Sequence, residues 1–141
     1  MADTIAHLKL TYEGARKMLA AAVAKAEAMG VPQCIAIVDD GANLLAFARM
    51  DGAKILSVDS AWRKAMTAAS SRASTGGMAE GLDIRLAIAT QGKLVNVKGG
   101  VPVIVDGKTI GAIGVGPGTG DQDLEVAKAG LAALAGAKTD F

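Results

Sequence analysis

The sequence predicts an α+β domain in which helices cover an antiparallel sheet. Its strand-like segments come in consecutive pairs joined by short turns, "CIAIVDD" with "NLLAFARM" and "VPVIV" with "KTIGAIGV". Segments with helical periodicity lie before, between and after these pairs, so the strands do not alternate singly with helices as in a parallel sheet. The chain of 141 residues has the length of one domain, 1–141.

The composition is that of an ordered globular protein. Hydrophobic residues make up 51% and charged residues 21% of the chain, which is not the balance of a disordered protein. The net charge is +1 and no Lys/Arg cluster stands out, so we expect no nucleic-acid partner. No apolar run approaches the ~20 residues of a membrane span. No signal-peptide pattern is present, and a lone cysteine, Cys34, is typical of a core residue in a reducing cytoplasm.

The first helix is predicted over residues 11–29, where apolar residues recur at helical spacing. Gly30 followed by Pro32 supplies its stop signal, and "HLKL" before it favours a short strand. The first strand pair follows, with the turn at residues 40–42. Asp39 ends the first of these strands, close to the turn.

A second helix is predicted over residues 54–72. It has an apolar stripe formed by Ile55, Val58, Trp62, Ala65, Met66 and Ala69. A second stripe surrounds one cation with hydroxyls and contains Ser57, Ser60, Lys64, Thr67 and Ser71.

The remaining elements are a loop, a strand, a hairpin and a helix. "SSRASTGGMAEGL" is typical of a loop or broken helix, and "RLAIATQGKLVNV" favours a helical turn followed by a strand. Asp106-Gly107 gives the strongest hairpin signal of the chain. A final helix is predicted over residues 122–134, and a loose tail over 135–141.

The glycine-rich segment "VGPGTGDQD" before the last helix does not match a nucleotide-binding motif. It fits neither the spacing G-x-G-x-x-G nor the P-loop pattern. Thr119 and Gln122 instead have the spacing of a capping box, and Asp121 and Asp123 would repel a phosphate at the helix start. The segment therefore predicts a helix entry, a wall of a ligand site, or both.

Three segments together resemble the GlcG/HbpS-like family, which includes the C-terminal domain of PduO. They are "IVDDGANLLAFARMDGA", "AWRKAMTAA" and "GGVPVIVDGKTIGAIGVGPGTGDQDLEVAKAGLAAL", and the similarity covers about residues 8–135. The resemblance implies a profilin-like fold, with a five-stranded antiparallel sheet flanked by helices on both faces, and a homo-oligomer, as a dimer or larger assembly. Some relatives bind haem or act in iron and corrinoid handling, and others are encoded beside catabolic enzymes.

The histidine content bears on a haem cofactor, for which a His ligand is the ordinary choice. The chain has a single histidine, His7, at the edge of the matching region. Some relatives have a histidine in the first helix, where this chain has Lys25. Four methionines are alternative ligands and are also typical core residues: Met18, Met50, Met66 and Met78. No cluster of metal-ligating residues predicts a separate metal site.

Three charged residues are the catalytic candidates. Lys64 on its hydroxyl-lined face could bind an organic acid or act as a base or an imine-forming amine, and its alternative is a solvated lysine. Ser60 lies one turn before it, as a Ser-Lys dyad requires. Arg49 could clamp a carboxylate or instead pair with Asp51 or Asp39. Asp39 could be a general base or cap its turn.

We expect these residues to converge on one recess, whose ligand-binding side consists of Thr67, Gly99, Gly100, Gly116 and Gln122. The favoured function is binding of a small ligand of the haem or corrinoid kind in connection with a catabolic pathway. The alternative is an enzyme without an organic cofactor that acts on a small oxo- or hydroxy-acid through Lys64 and Arg49. An accessory oligomer that stabilises a catabolic partner is the third.

Overall fold

The computed structural model describes all 141 residues and contains four helices and four strands. The elements are α1 Tyr12–Met29, β1 Cys34–Asp39, β2 Leu44–Arg49, α2 Ser57–Ser71, α3 Leu82–Ala89, β3 Gly100–Val105, β4 Lys108–Gly116 and α4 Gly120–Ala132. The strands form one antiparallel sheet in the order β2-β1-β4-β3. The predicted α+β class is confirmed. None of the helices combines the length and apolarity needed to span a bilayer.

The local signals at helix starts and turns are confirmed. The Thr11 hydroxyl accepts a hydrogen bond from the Gly14 N–H at 3.0 Å, which caps α1. Thr119 and Gln122 form both halves of the capping box at α4. Asp106 and Gly107 have φ of +49° and +72°, as a two-residue hairpin turn requires at both central positions.

The prediction of a fifth strand is wrong. Residues 94–97 do not join the sheet because side chains, not a neighbouring strand, bind their backbone. The Thr67 hydroxyl accepts from the Val95 N–H at 3.0 Å, and the Thr75 hydroxyl donates to the Val97 carbonyl at 2.5 Å. Residues 7–10 are not a strand either. The profilin-like classification stays a prediction.

Helices cover both faces of the sheet. On one face, α1 and α4 pack on the larger side chains of the strands, including Ile35, Ile37 and Ile113, around the fully buried Met18 and Leu131. On the other face α2 covers a core made mostly of alanines: Ala36, Ala65, Ala68, Ala69 and Ala112 with Val38. The layer order is therefore α1 and α4, then the sheet, then α2.

The predicted apolar stripe of α2 is only partly correct. Ala65 and Ala69 are buried, but Ile55 and Trp62 are 60% and 37% exposed. The helix lies so close to the sheet that only small side chains fit beneath it, and its larger apolar side chains therefore point outward. The predicted hydroxyl stripe is the face that is partly buried, with Lys64 and Thr67 each 4% exposed.

The C-terminal tail is not loose, contrary to the prediction. The Lys138 N–H donates to the Ile104 carbonyl at 2.9 Å, and Ala137 forms a bridge with Val105 along the outer edge of β3. Phe141 packs against the larger core, with the Lys138 ammonium 4.9 Å from its ring centre. The tail thus covers part of one edge of the sheet.

Candidate functional site

A buried polar cluster joins the two helix layers at one end of the sheet. The Lys64 ammonium of α2 donates to Asp123 Oδ2 of α4 at 2.9 Å and to the Val115 carbonyl of β4 at 2.7 Å. The Gln33 amide donates to Asp123 Oδ1 at 3.1 Å and accepts from the Gly118 N–H at 3.2 Å. Lys64, Gln33 and Asp123 are 4%, 0% and 2% exposed. No buried side-chain nitrogen or oxygen lacks a partner.

Gly99 and Gly116 make room for this cluster, beside Lys64 as predicted. A Cβ atom at Gly99 would lie 3.0 Å from Lys64 Nζ and 2.7 Å from the Val115 carbonyl oxygen, and Gly99 has a φ of +125°. A Cβ atom at Gly116 would lie 3.3 Å from Ser60 Oγ and 3.4 Å from Lys64 Nζ. Both glycines therefore let the lysine cross from one face of the sheet to the other.

Lys64 is therefore not a solvated lysine, which was the alternative to a functional role. Its ammonium is held by a carboxylate and a carbonyl, and a side chain with 5% exposure is not presented to a ligand. Ser60 Oγ and Lys64 Nζ both lie beside Gly116, but the amine is engaged with Asp123. Catalysis by Lys64 stays a prediction that would require this pair to open.

Gln122 lies at the entrance of α4, beside the cluster. Its side-chain oxygen accepts from the Thr119 N–H at 2.9 Å, and its own N–H donates to the Thr119 hydroxyl at 3.2 Å. The glycine-rich segment thus serves as a helix entry, while a role of Gln122 toward a ligand stays a prediction.

Arg49 lies at the end of β2 and has no carboxylate within ion-pair distance, so the predicted pairs with Asp51 and Asp39 do not form. It lines a cavity of about 450 Å³ whose other walls include Glu27, Met50 and Asp51. Burial raises the pKa of the neighbouring Cys34 thiol, and the charge of Arg49 partly opposes this rise. Cys34 is fully buried, as expected of a core residue.

Asp39 lies at the opposite end of the sheet from Lys64. It pairs with Gly111 of β4, whereas the other end of β1, at Cys34, pairs with Gly116. Its carboxylate accepts from the N–H groups of Gly41 and Asn43, each at 2.9 Å, and so caps the β1–β2 turn. The expected convergence of Lys64, Arg49 and Asp39 is therefore wrong, because a strand of this length separates the carboxylate from the ammonium.

Thr67 and Gly100 have structural contacts. The Thr67 hydroxyl donates to the Arg63 carbonyl at 2.7 Å and anchors the Val95 N–H. Gly100 lies beneath α2, where an added Cβ would collide with the Lys64 carbonyl oxygen and lie 2.7 Å from Thr75 Cγ2. Ligand binding by these two residues stays a prediction.

The single recess expected from the sequence does not form in any of four surface cavities. One cavity of about 220 Å³ brings together Ala42 of the β1–β2 turn with Met66 and Thr67 of α2, but it has no residue of 99–122. The cavity at Arg49 has no residue of α2 or of the glycine-rich segment.

The largest of these four cavities, of about 810 Å³, lies at the turn end of the sheet. His7 and Asp40 form part of its wall, with His7 Nε2 2.9 Å from Asp40 Oδ2. Arg72 and Lys108 add two cations, and Ile5 contributes apolar surface. A volume in the ~300–1,000 Å³ range is typical of small-molecule sites. No group of three metal-ligating side chains occurs there or elsewhere in the chain.

Sequence reasoning missed Asp40, Arg72 and Lys108 as wall residues of a site. The signal was present, because Asp40 belongs to the first hairpin turn and Lys108 follows the second. In an antiparallel sheet with β1 paired to β4, these two turns meet at one end. Arg72 ends α2 with a φ of +56° at the same place.

The sequence also matches a known protein family. The family model described as "Haem degrading protein HbpS-like" matches residues 10–132. The chain belongs to the HbpS-like family. The resemblance seen in the sequence is thereby confirmed.

The chain is also similar to individual known proteins, one of which was crystallised as a haem complex. Protein GlcG of Escherichia coli K12 is 42% identical over 107 residues, covering 75% of this chain and 80% of GlcG. A crystal structure of a PduOC–haem complex superposes with a TM-score of 0.85 at 28% identity, covering 95% of this chain and 100% of that one. A double variant of Streptomyces reticuli HbpS gives 0.83 at 37% identity, covering 95% and 92%.

Lys25, the first-helix position at which a histidine was considered, makes a surface contact with α4. Lys25 Nζ lies 3.6 Å from Glu125 Oε2, across the surface between α1 and α4. His7 is the only histidine of the chain, and it lies on the wall of the 810 Å³ cavity.

Proposed function

We propose that this chain binds haem in the 810 Å³ cavity at the turn end of the sheet, with His7 as the iron ligand. The observation that carries the proposal is the position of the only histidine on the wall of this cavity, with its Nε2 atom 2.9 Å from a carboxylate oxygen. The crystallised PduOC–haem complex, which shares this fold over 95% of the chain, supports a ligand of that class.

The residues of the cavity fit a haem. His7 Nε2 lies 2.9 Å from Asp40 Oδ2, so Nδ1 would be the ring nitrogen available to a metal. Ligating histidines ordinarily have a carboxylate or carbonyl partner of this kind, which fixes the ring and its tautomer. Arg72 and Lys108 would bind the two propionates, and Ile5 would contact the apolar macrocycle.

Bound haem would supply a redox-active iron, and this chain's residues would hold and orient it. His7 and Asp40 lie on an open wall, so the ligand would keep one side toward solvent. A role as carrier, sensor or scavenger in the cytoplasm, beside a catabolic pathway, belongs to the same proposal. No observation favours the alternative of an enzyme, because Lys64 is paired within the core and Arg49 lies on a different cavity.

Haemin titration followed by absorption spectroscopy tests the proposal. We expect a saturable Soret shift for the unmodified chain and at least a tenfold weaker binding for His7→Ala, because the iron loses its protein ligand. Lys17→Ala, on the exposed side of α1, is the matched control and should bind as the unmodified chain does. An unchanged Soret band and an unchanged affinity in His7→Ala would contradict the proposal. A parallel cobalamin titration separates haem from a corrinoid.

The partner of His7 gives a second expected result. Asp40→Asn should weaken haemin binding by about 10–100-fold, the usual effect of removing the group that orients a metal-binding histidine. Asp51→Asn, an exposed aspartate on another cavity, serves as its control. If both variants bind haemin equally well, Asp40 does not orient the ligand.

A further inference from the structure

The 450 Å³ cavity beside Arg49, called the Arg49 cavity below, contains three charged side chains that are not neutralised within the chain. Arg49 comes from the end of β2, Glu27 from the last turn of α1, and Asp51 from the turn that follows β2. None of the three takes part in an ion pair. One cation and two anions on the same wall are therefore available to the charged groups of a ligand.

The backbone that carries two of these charges is fixed before any ligand binds. Arg49 pairs with Cys34 in the sheet. The Met50 N–H donates to the Gln33 carbonyl at 3.0 Å, and the Gln33 N–H donates back to Met50 Sδ at 3.3 Å. Arg49 and Asp51 are the two neighbours of Met50 along the chain. Binding therefore needs no ordering of this segment, which lowers its cost in conformational entropy.

The charges of the Arg49 cavity select a ligand that carries both signs. A guanidinium can bind a carboxylate through two parallel hydrogen bonds, and carboxylates bind an ammonium through charge-assisted ones. Glu27 and Asp51 would repel a ligand whose only charge is a carboxylate, and Arg49 would repel one whose only charge is an ammonium. A small molecule with one carboxylate and one ammonium satisfies all three residues.

The rest of the wall is apolar and leaves room for an aliphatic side chain. Val23, Ala48 and Met50 line the cavity and are half-buried. An unbranched, flexible methionine adapts to the shape of aliphatic groups. The volume lies in the ~300–1,000 Å³ range of small-molecule sites.

We propose that the Arg49 cavity binds a small amino acid with an aliphatic side chain. Arg49 binds its carboxylate, Glu27 and Asp51 bind its ammonium, and Met50 contacts its side chain. The Arg49 cavity shares no residue with the 810 Å³ cavity, so this site does not depend on haem binding.

Three matched probes test the site by NMR titration of the ¹⁵N-labelled chain at neutral pH. They are L-norleucine, hexanoate, which lacks the ammonium of norleucine, and pentylamine, which lacks its carboxylate. We expect norleucine to shift the Ala48, Met50 and Asp51 amides saturably. Hexanoate and pentylamine should bind about 10–100-fold more weakly, the effect of losing a charge-assisted hydrogen bond. Equal affinities for norleucine and hexanoate, or no saturable shift with norleucine, would overturn the proposal.

Variants of the charged residues assign the roles. Arg49→Gln should weaken norleucine binding by about 10–100-fold, because the carboxylate loses its cation. Glu27→Gln with Asp51→Asn should also weaken norleucine binding but strengthen hexanoate binding, because the repulsion of the carboxylate is gone. A merely structural role of the two acids would not produce this reversal. Arg85→Gln, an exposed arginine on α3, is the control and should bind norleucine as the unmodified chain does. Unchanged norleucine affinity in Arg49→Gln, or weaker hexanoate binding in the double variant, would contradict the assignment.

Discussion

Lys64→Met is expected to lower the free energy of unfolding by about 3–5 kcal/mol, because it leaves a charged carboxylate buried without its cation. Asp123 is 2% exposed and would keep only the Gln33 amide as a side-chain partner. Methionine has a similar length and flexibility, so the loss would come from charge and hydrogen bonding more than from volume. Urea unfolding followed by circular dichroism measures the change.

The double variant Lys64→Met with Asp123→Asn tests whether Lys64 and Asp123 stabilise the fold as an ion pair or independently of each other. Asparagine removes the second charge and keeps an oxygen that accepts from Gln33 Nε2. We expect the double variant to be more stable than Lys64→Met alone, since removing both charges of a buried pair costs less than removing one. If the double variant loses as much unfolding free energy as Lys64→Met and Asp123→Asn lose together, Lys64 and Asp123 are not coupled.

The exposed pair of Lys98 and Asp121 provides the comparison. Its atoms lie 2.5 Å apart, and the hydrogen bond from Lys98 lowers the pKa of the Asp121 carboxyl. Solvent screens this pair, so Lys98→Met should change stability far less than Lys64→Met does. If Lys98→Met and Lys64→Met lower the free energy of unfolding equally, burial is not the reason why removing the Lys64 charge is destabilising.

The difference between Lys64 and the other predicted site residues shows what the sequence could provide. Local signals were sufficient for the two hairpins, for the capping box at Thr119 and for three of the four helices to within three residues at each end, because each depends on residues a few positions apart. They gave only a helical turn where α3 forms. The cluster of Lys64, Gln33 and Asp123 joins positions up to 90 apart along the chain. A hydroxyl-lined helical stripe predicted a special role for Lys64, but nothing local to it identifies Asp123 as its partner.

The errors in the fold have the same origin. Residues 94–97 have the composition of a strand, but they are held by hydroxyl and amide side chains from Thr67, Thr75 and Asn96. The tail was predicted to be loose because its contacts with β3 are with residues distant in sequence. Asp39 was expected beside Lys64 because the sequence does not show in which direction β1 runs relative to α2. That direction is set only when the sheet assembles.

Gly114→Ala is expected to lower the free energy of unfolding by at least about 3 kcal/mol, at or beyond the upper end of ordinary overpacking. A Cβ atom there would collide with the Ala61 carbonyl oxygen and lie 2.5 Å from the Ala65 nitrogen, both in the backbone of α2. Side chains can rotate away from a new methyl group, but backbone atoms within a helix cannot. The whole of α2 would have to move off β4, and its alanine core would lose contact with the sheet.

Gly77→Ala is the matched control for this substitution. Nothing lies within 4 Å of its Cβ position, and its φ is not in the left-handed region. It should be neutral or stabilising by about 0.4–1 kcal/mol, through the lower entropy of the unfolded chain. Adding Ala65→Gly to Gly114→Ala should not restore stability, because the atoms nearest to the new methyl group belong to the backbone. A restored urea midpoint in that double variant would show that side-chain packing, and not backbone contact, sets the distance between α2 and the sheet.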